Sequence, residues 1–189
     1  MTQLPRALTT RLAYENPWMR VREDLVRWPG GHEAVYGVIE KPDFAVIMPR
    51  DGNRDGNRDG EGGWWMVEQY RYTIGRRVLE FPQGSWPAGH AGDTLALAEA
   101  ELREETGLTA TSMRKIGRMQ EAYGFVDQAC DVYLATGLAS GDPDREATEL
   151  HMEHRFVTDD ELAALIRSGQ VVDAVTIAAL TLHRLDAGA

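Results

Sequence analysis

The sequence predicts an α+β fold with sandwich-like α/β/α layering, in which helices cover both faces of a sheet. Short β-rich runs come first, one helix interrupts them, and two helices close the chain. This order differs from the regular strand–helix alternation of a parallel βαβ array. A length of 189 residues, with 43% hydrophobic and 26% charged residues, allows one good core and is too short for two large independent domains.

A β-rich portion opens the chain. Residues 21–28 and 34–39 are short runs of strand-forming residues, and Pro29-Gly30-Gly31 between them is a turn signal. Together they predict a hairpin. Two further runs, residues 44–48 and 64–70, are apolar enough to be buried strands.

A helix is predicted over residues 95–106, after a Pro- and Gly-rich loop that runs to Gly92. Asp93 suits the N-cap because its carboxylate can accept a hydrogen bond from an N–H group of the first turn. Gly107 is expected in the left-handed conformation that ends many helices. The apolar stripe with helical spacing consists of Ala91, Leu95, Ala98 and Leu102.

The remainder of the chain predicts three more strands and two helices. The strands are expected over residues 113–120, 128–136 and 150–157, with a polar loop over residues 138–148. The helices are expected over residues 159–168, capped by Thr158, and over residues 173–185.

The bulk numbers exclude several classes of protein. A formal net charge of −10 and a pI near 5.0 argue against an extended basic surface for nucleic acid. The chain shows neither a transmembrane run nor a secretory signal pattern. Its single cysteine, Cys130, excludes an internal disulfide and is expected to be buried and inert. These features predict a cytoplasmic protein with no nucleic-acid or membrane partner.

Two local patterns that resemble metal sites are rejected. The repeat that starts at Asp51 fits the first half of an EF-hand loop, but its twelfth position is Gly62 and its flanks read as strands. We expect a solvated loop there. His151 and His154 have zinc-like spacing, but in a strand this spacing puts the rings on opposite faces, and no third ligand is evident.

The most informative segment is Glu101-Leu-Arg-Glu-Glu-Thr-Gly-Leu108. Its carboxylates at positions 101, 104 and 105 have helical i, i+3, i+4 spacing and therefore lie on one side of the helix. Like charges at this spacing cost roughly 0.2–0.5 kcal/mol per pair, so we expect a cation to offset the repulsion. Mg²⁺ prefers oxygen ligands and commonly combines a few carboxylates with substrate phosphates.

This segment resembles the Nudix box, whose usual form is G-x5-E-x7-R-E-U-x-E-E-x-G-U, with U a bulky aliphatic residue. The matching positions are Gly84, Glu101, Leu102, Glu104, Glu105, Gly107 and Leu108. The segments 67–71, 79–84, 125–127 and 169–177 look like the ADP-ribose pyrophosphatase branch of that family. The resemblance implies a Nudix-type α/β/α sandwich preceded by a small β-rich N-terminal portion.

The box departs from the family form at two positions. Ala100 stands where the box has arginine, and Gly92 stands where it has its first glutamate. The interval before the glutamate cluster is also two residues longer than usual. In the family the arginine orients a metal-binding glutamate, and Arg103 or Arg77 could take that role here.

The resemblance implies a divalent-metal site. Glu101 and Glu105 would be the principal ligands of Mg²⁺, with Mn²⁺ as an alternative ion. Glu104 would be a further ligand and take part in catalysis, and the backbone carbonyl of Gln83 would complete the shell. A divalent ion at this place neutralises phosphate charge and lowers the pKa of bound water.

Further roles fall on residues outside the box. The general base in this branch is usually a loop glutamate, and among Glu146, Glu149 and Glu153 we favour Glu149. Arg71 matches the contact to the substrate phosphates, since a guanidinium pairs with phosphate through two hydrogen bonds. Glu80 would accept hydrogen bonds from a ribose or a base.

The N-terminal portion carries two tryptophans that could stack on a nucleobase, Trp18 and Trp28, with Trp28 the preferred contact. A position in the core is the alternative for each. In this branch such a residue often comes from the partner of a dimer, which implies a homodimer. The domain division is an N-terminal β-rich segment for dimerisation and substrate contact, residues 1–43, and a Nudix hydrolase domain, residues 44–189.

The sequence thus predicts a Mg²⁺-dependent pyrophosphatase that hydrolyses the diphosphate of ADP-ribose or a related nucleoside diphosphate sugar. The products would be a nucleoside monophosphate and a sugar phosphate. GDP-mannose or another nucleotide sugar is an alternative substrate. A catalytically impaired module that senses a nucleotide is the alternative from a different class, because of Ala100 and Gly92.

Overall fold

The computed structural model describes residues 3–52, 62–86, 92–145 and 151–188. The preferred base Glu149, the alternative base Glu146 and the stripe residue Ala91 lie outside these ranges, as does most of the repeat after Asp51. All statements below concern the described residues.

The described residues form ten strands and three α-helices. The predicted strands and helices are all present, with their ends shifted by a few residues. In chain order they are β1 (Arg6–Asn16), β2 (Met19–Arg27), β3 (Glu33–Glu40), β4 (Phe44–Asp51), β5 (Gly63–Arg71), β6 (Arg76–Glu80), β7 (Gln83–Ser85), α1 (Thr94–Thr106), β8 (Thr109–Gln120), β9 (Ala129–Ala139), β10 (Glu153–Thr158), α2 (Asp159–Arg167) and α3 (Ala174–Ala187).

The strands form two sheets. The first contains β1, β2 and β3 in antiparallel order, and Gly30 and Gly31 in the β2–β3 turn both have φ of 90°, as the hairpin prediction requires. The second is a mixed sheet of seven strands, in the order β10-β5-β4-β9-β8 with β6 on β5 and β7 on β4. Strands β4 and β9 pair in parallel, and the other pairs within both sheets are antiparallel.

Strand β4 separates the two halves of the core. Its side chains alternate between the faces of the sheet because a strand has a period of two. Phe44, Val46 and Met48 pack on the side of α2 and α3, whereas Ala45 and Ile47 pack on the side of α1. Helices therefore cover both faces, and the predicted α/β/α sandwich is confirmed.

Helix α1 begins and ends as predicted. The carboxylate of Asp93 accepts a hydrogen bond from the Leu95 N–H at 3.1 Å, and Gly107 has φ of 73°. Its buried residues are Leu97, Ala98, Leu102, Glu105 and Thr106. The predicted apolar stripe omitted Leu97, which is buried, and included Leu95, which is only half-buried.

One prediction drawn from the bulk composition agrees with the structure. Cys130 is completely buried in β9, as expected for an inert thiol. Within the described ranges, none of the helices has the length and apolar character needed to cross a membrane.

Candidate active site

The short strand β7 and helix α1 meet at Gly84 and Glu101. A Cβ added to Gly84 would lie 2.5 Å from Oε2 of Glu101 and closer still to Oε1, so only a glycine leaves room for this carboxylate. Pairing with Ala45 of β4 fixes the position of Gly84. The glycine of the motif is therefore explained by the glutamate that lies over it, seventeen residues away in the sequence.

Glu105 is held beside the same strand. Only 1% of its surface is exposed, and its Oε2 accepts a hydrogen bond from the backbone N–H of Gln83 at 3.2 Å. At the other end of the residue, its backbone carbonyl accepts a hydrogen bond from Nε of Arg145 at 3.0 Å. A buried carboxylate needs such partners because burial without them is costly.

Glu104 is placed differently from its two neighbours. Its side chain is about one-third exposed, and Oε1 lies 3.7 Å from a guanidinium nitrogen of Arg103. Arg77, the other proposed replacement for the box arginine, is engaged elsewhere, because it binds Glu68 and the carbonyl of His151. Of these two arginines, only Arg103 contacts the cluster.

The donor chemistry of this place fits a hard divalent ion. Two glutamates, Glu101 and Glu105, and the Gln83 backbone come together where β7 meets α1. Carboxylate and carbonyl oxygens are the ligands that Mg²⁺ prefers. In the described parts of the chain, no group of three or more acidic, histidine or cysteine side chains is placed so that it could hold a metal ion by itself.

A cleft of about 600 Å³ opens beside β7, and none of its described lining residues belongs to α1. Gln83 and Gly84 line it together with Arg71 and Glu80. The cleft therefore places the phosphate-binding candidate Arg71 near Gln83, the one metal-site candidate that lies on β7. Its volume is in the range of small-ligand sites.

Arg71 and Glu80 form one polar unit at the floor of the cleft. Nε of Arg71 donates to Oε2 of Glu80 at 3.2 Å, and its terminal nitrogen binds Oε1. Nε2 of Gln69 donates to the same Oε1 at 2.8 Å. Glu80 is only 2% exposed, and this burial raises the pKa of its carboxyl group. The positive charge of Arg71 lowers that pKa and so limits the rise. The carboxylate of Glu80 thus fixes the guanidinium of Arg71.

The sequence interpretation missed other polar residues of the cleft. They come from the linker before β4, from β7, from the connection between β8 and β9 and from the cap of α3, and they are Lys41, Ser85, Glu121, Gln128 and Asp173. Their positions next to strand ends could have indicated these residues, because binding residues concentrate in loops at the ends of a rigid scaffold.

Neither tryptophan of the N-terminal sheet is in the core, so the core alternative is wrong for both. Trp18 is 73% exposed and lines a groove of about 370 Å³ that shares Lys41 with the cleft. Trp28 is 38% exposed and packs against Tyr36, with 6.3 Å between the ring centroids. Trp28 is not among the described residues that line the cleft.

One of the three candidate bases lies in the described residues. Glu153 begins β10 and pairs in register with Glu68. The next residue, His154, points to the opposite face of the strand and contacts Arg145 through Nδ1 at 2.9 Å. Glu153 therefore lies on the face of β10 that is turned away from Arg145.

Comparison with known proteins relates the chain to hydrolases of nucleotide compounds. Residues 6–39 match the family model described as the nucleoside diphosphate sugar hydrolase N-terminal domain. The ADP-ribose pyrophosphatase of Mycobacterium tuberculosis is 36% identical over 171 residues, covering 89% of this chain and 78% of the relative. The ADP-ribose pyrophosphatase of Bacillus subtilis is 36% identical over 161 residues, covering 85% and 82%.

A solved structure supports the fold. A crystal structure described as an ADP compounds hydrolase superposes with a TM-score of 0.81, covering 97% of this chain and 94% of the other. The two sequences are 16% identical, so this likeness concerns the architecture alone.

Proposed function

Because the chain belongs to the ADP-ribose pyrophosphatase family of Nudix hydrolases, we propose that it hydrolyses the diphosphate of ADP-ribose or a related nucleoside diphosphate sugar with the help of Mg²⁺. The products are a nucleoside monophosphate and a sugar phosphate. The observation that carries the proposal is the contact of β7 with α1, where Gly84 and Gln83 receive the carboxylates of Glu101 and Glu105 beside the Arg71 cleft.

The carboxylates of Glu101, Glu105 and Glu104, with the backbone carbonyl of Gln83, would hold the ion. A divalent ion bound there neutralises phosphate charge and lowers the pKa of a bound water, and Mn²⁺ would serve in the same way. The burial of Glu105 supports this assignment, because a carboxylate in a low-dielectric place attracts a cation more strongly than an exposed one.

The residues of the cleft bind and orient the diphosphate. Arg71 is held by Glu80, so its guanidinium enters the reaction already placed and loses little freedom on binding phosphate. Phosphoryl-group hydrolysis depends mainly on such positioning and on electrostatic stabilisation. Glu149 is our candidate for the group that takes the proton from the attacking water.

We propose a homodimer in the cytoplasm, with residues 1–43 as the dimerisation segment. The exposure of Trp18 and Trp28 supports this, because aromatic side chains are enriched at protein interfaces. In the dimer, Trp28 would stack on the nucleobase bound by the partner subunit.

The test is a panel of nucleotide sugars that includes ADP-ribose and GDP-mannose, incubated with the purified protein and Mg²⁺. Release of AMP or GMP is measured, and EDTA should abolish it. Glu105→Gln should lower turnover by at least about 100-fold, because the amide keeps the shape of the side chain and removes its charge. Glu99→Gln, on the exposed face of the same helix, is the matched control.

A nucleotide-sensing module is the second candidate, and the departures at Ala100 and Gly92 favour it. Tight binding of a nucleotide sugar without turnover under Mg²⁺ or Mn²⁺ would support the sensor and contradict the hydrolase. If calorimetry shows that the folded protein binds neither ion, even with nucleotide present, the metal assignment is wrong.

A further inference from the structure

Arg145 connects the C-terminal end of α1 to β10, and we propose that it is the positioning residue that holds Glu105 ready for a divalent ion. This inference rests on the proposed function for its role in the reaction. The residue lies after β9, outside the motif that identifies the family. It supplies a guanidinium near the glutamate cluster in a chain whose box has Ala100 at the arginine position.

The first observation concerns the end of the helix. The last carbonyls of an α-helix have no partner within the helix and need one from elsewhere. In α1, the carbonyl of Arg103 receives the N–H of Gly107 at 2.8 Å, and the carbonyl of Glu104 receives the N–H of Asp144 at 3.1 Å. Nε of Arg145 donates to the carbonyl of Glu105 at 3.0 Å. Asp144 and Arg145 therefore cap the turn that carries Glu104 and Glu105.

The charge of Arg145 suits this place. The C-terminal end of a helix carries a partial negative charge, so a cation in contact with its carbonyls is favourable. Two glutamates in the same turn, Glu104 and Glu105, add full negative charges.

The second observation is that Arg145 is anchored at its other side. One of its terminal nitrogens lies 2.9 Å from Nδ1 of His154, which belongs to β10. The ring of His154 packs against Trp65 of the neighbouring strand β5, with 5.7 Å between the centroids. Arg145 thus links the helix end to a strand of the central sheet, and a side chain with a single donor group could not span both contacts equally well.

The two contacts make Glu105 a residue held at both ends. Its side chain is fixed by the N–H of Gln83 and its backbone by Arg145. Because the residue is buried, solvent does not compete for either contact. Loss of Arg145 should free the last turn of α1 and misplace the Glu105 carboxylate by enough to weaken ion binding, since supporting groups of metal sites typically contribute 10- to 100-fold in affinity.

The experiment compares Arg145→Gln and Arg145→Lys with the matched control Arg155→Gln. Arg155 lies one residue beyond His154 on β10 and pairs with Glu161 of α2, away from α1. Two readouts are taken without substrate: hydrogen exchange of peptides that cover residues 101–108, and Mn²⁺ affinity by calorimetry. We expect Arg145→Gln to speed this exchange about fivefold and to weaken Mn²⁺ binding about 10-fold or more.

Arg145→Lys should lie between Arg145→Gln and the wild type, and Arg155→Gln should match the wild type. The inference is overturned if exchange and Mn²⁺ affinity are unchanged in Arg145→Gln, or if exchange rises while Mn²⁺ affinity stays the same. If Arg145→Gln does not fold, Arg145→Lys decides by the same two readouts. A wild-type protein that binds Mn²⁺ and releases no nucleotide contradicts the proposed hydrolase and leaves these readouts valid.

Discussion

The carboxylate of Glu101 lies against Gly84, in the space that a methyl group on Gly84 would need. The conflict involves the end of a flexible side chain, so the fold can relieve it by moving the carboxylate. We therefore predict that Gly84→Ala lowers metal-dependent turnover by about 100-fold or more while the free energy of unfolding changes by less than ~1 kcal/mol. Steady-state kinetics and thermal unfolding measure the two effects.

The control for this prediction is Gly52→Ala, because a Cβ at position 52 meets no atom within 4 Å. Full activity in Gly84→Ala would show that Glu101 has a different position or no role in turnover. A large loss of stability would show that the strand, rather than the carboxylate, was displaced.

The Arg71–Glu80 unit predicts a difference between two substitutions. Arg71→Lys keeps a charge next to the buried Glu80 and loses the two-pronged contact to phosphate, so we expect KM to rise at least about 10-fold with little change in stability. Arg71→Ala should destabilise the fold as well, by ~1–3 kcal/mol, because Glu80 loses its cation. Denaturant unfolding of Arg71→Ala with and without Glu80→Gln measures this, since Glu80→Gln should restore part of the loss.

Cys130 should resist thiol reagents in the native protein. Burial raises its pKa to about 11, and the side chain has no exposed surface. At pH 8 we expect Ellman's reagent to label less than a few per cent of the native thiol within minutes and to label it fully in guanidinium. Rapid labelling under native conditions would contradict the burial of β9.

The lowered pKa of His183 predicts that the free energy of unfolding decreases on mild acidification. Burial and the charge of Arg50 hold its pKa below its ordinary value of 6.5, so the unfolded chain takes up the proton first. Stability is then fully present above pH 6.5 and falls as the pH drops below that value. The nearby Asp159 and Asp186 act in the opposite direction and limit the shift.

The measurement for this prediction is denaturant unfolding between pH 7 and pH 5. His183→Phe should reduce the pH dependence, and the exposed His32→Gln should not. The remaining slope is expected to come from His154, whose pKa burial and Arg145 also lower. An unchanged slope in His183→Phe would show that the pKa of His183 is the same in the folded and unfolded states.

The helices and the central strands could be predicted from the sequence because their signals are local. Asp93 begins α1 by accepting a hydrogen bond, and Gly107 ends it with a positive φ. Both lie at the positions predicted from the sequence. Strands β1, β6 and β7 were not anticipated, because their residues are largely exposed or the strand is short. In addition, β7 pairs with β4, which is distant in sequence.

In the candidate site too, local features could be predicted from the sequence and tertiary contacts could not. The spacing of Glu101, Glu104 and Glu105 led us to predict a cation site, since helical periodicity alone puts them on one side. The role of Arg145 could not be read from the sequence, because its contacts to Glu105 and His154 join segments that only the tertiary fold brings together. Burial of Leu97 was missed because α1 packs on its neighbours through a wider face than the assumed stripe.

Strand β4 has a consequence for the newly synthesised chain. Its uncharged run over residues 44–48 can be covered fully only when β9 has emerged from the ribosome, because Phe44 pairs with Cys130. Until then it is the kind of segment through which nascent chains aggregate. Lys41-Pro42-Asp43 before it and Pro49-Arg50-Asp51 after it place charge and proline at both borders. Replacing these flanking residues should lower the soluble yield without weakening the finished protein by a comparable amount.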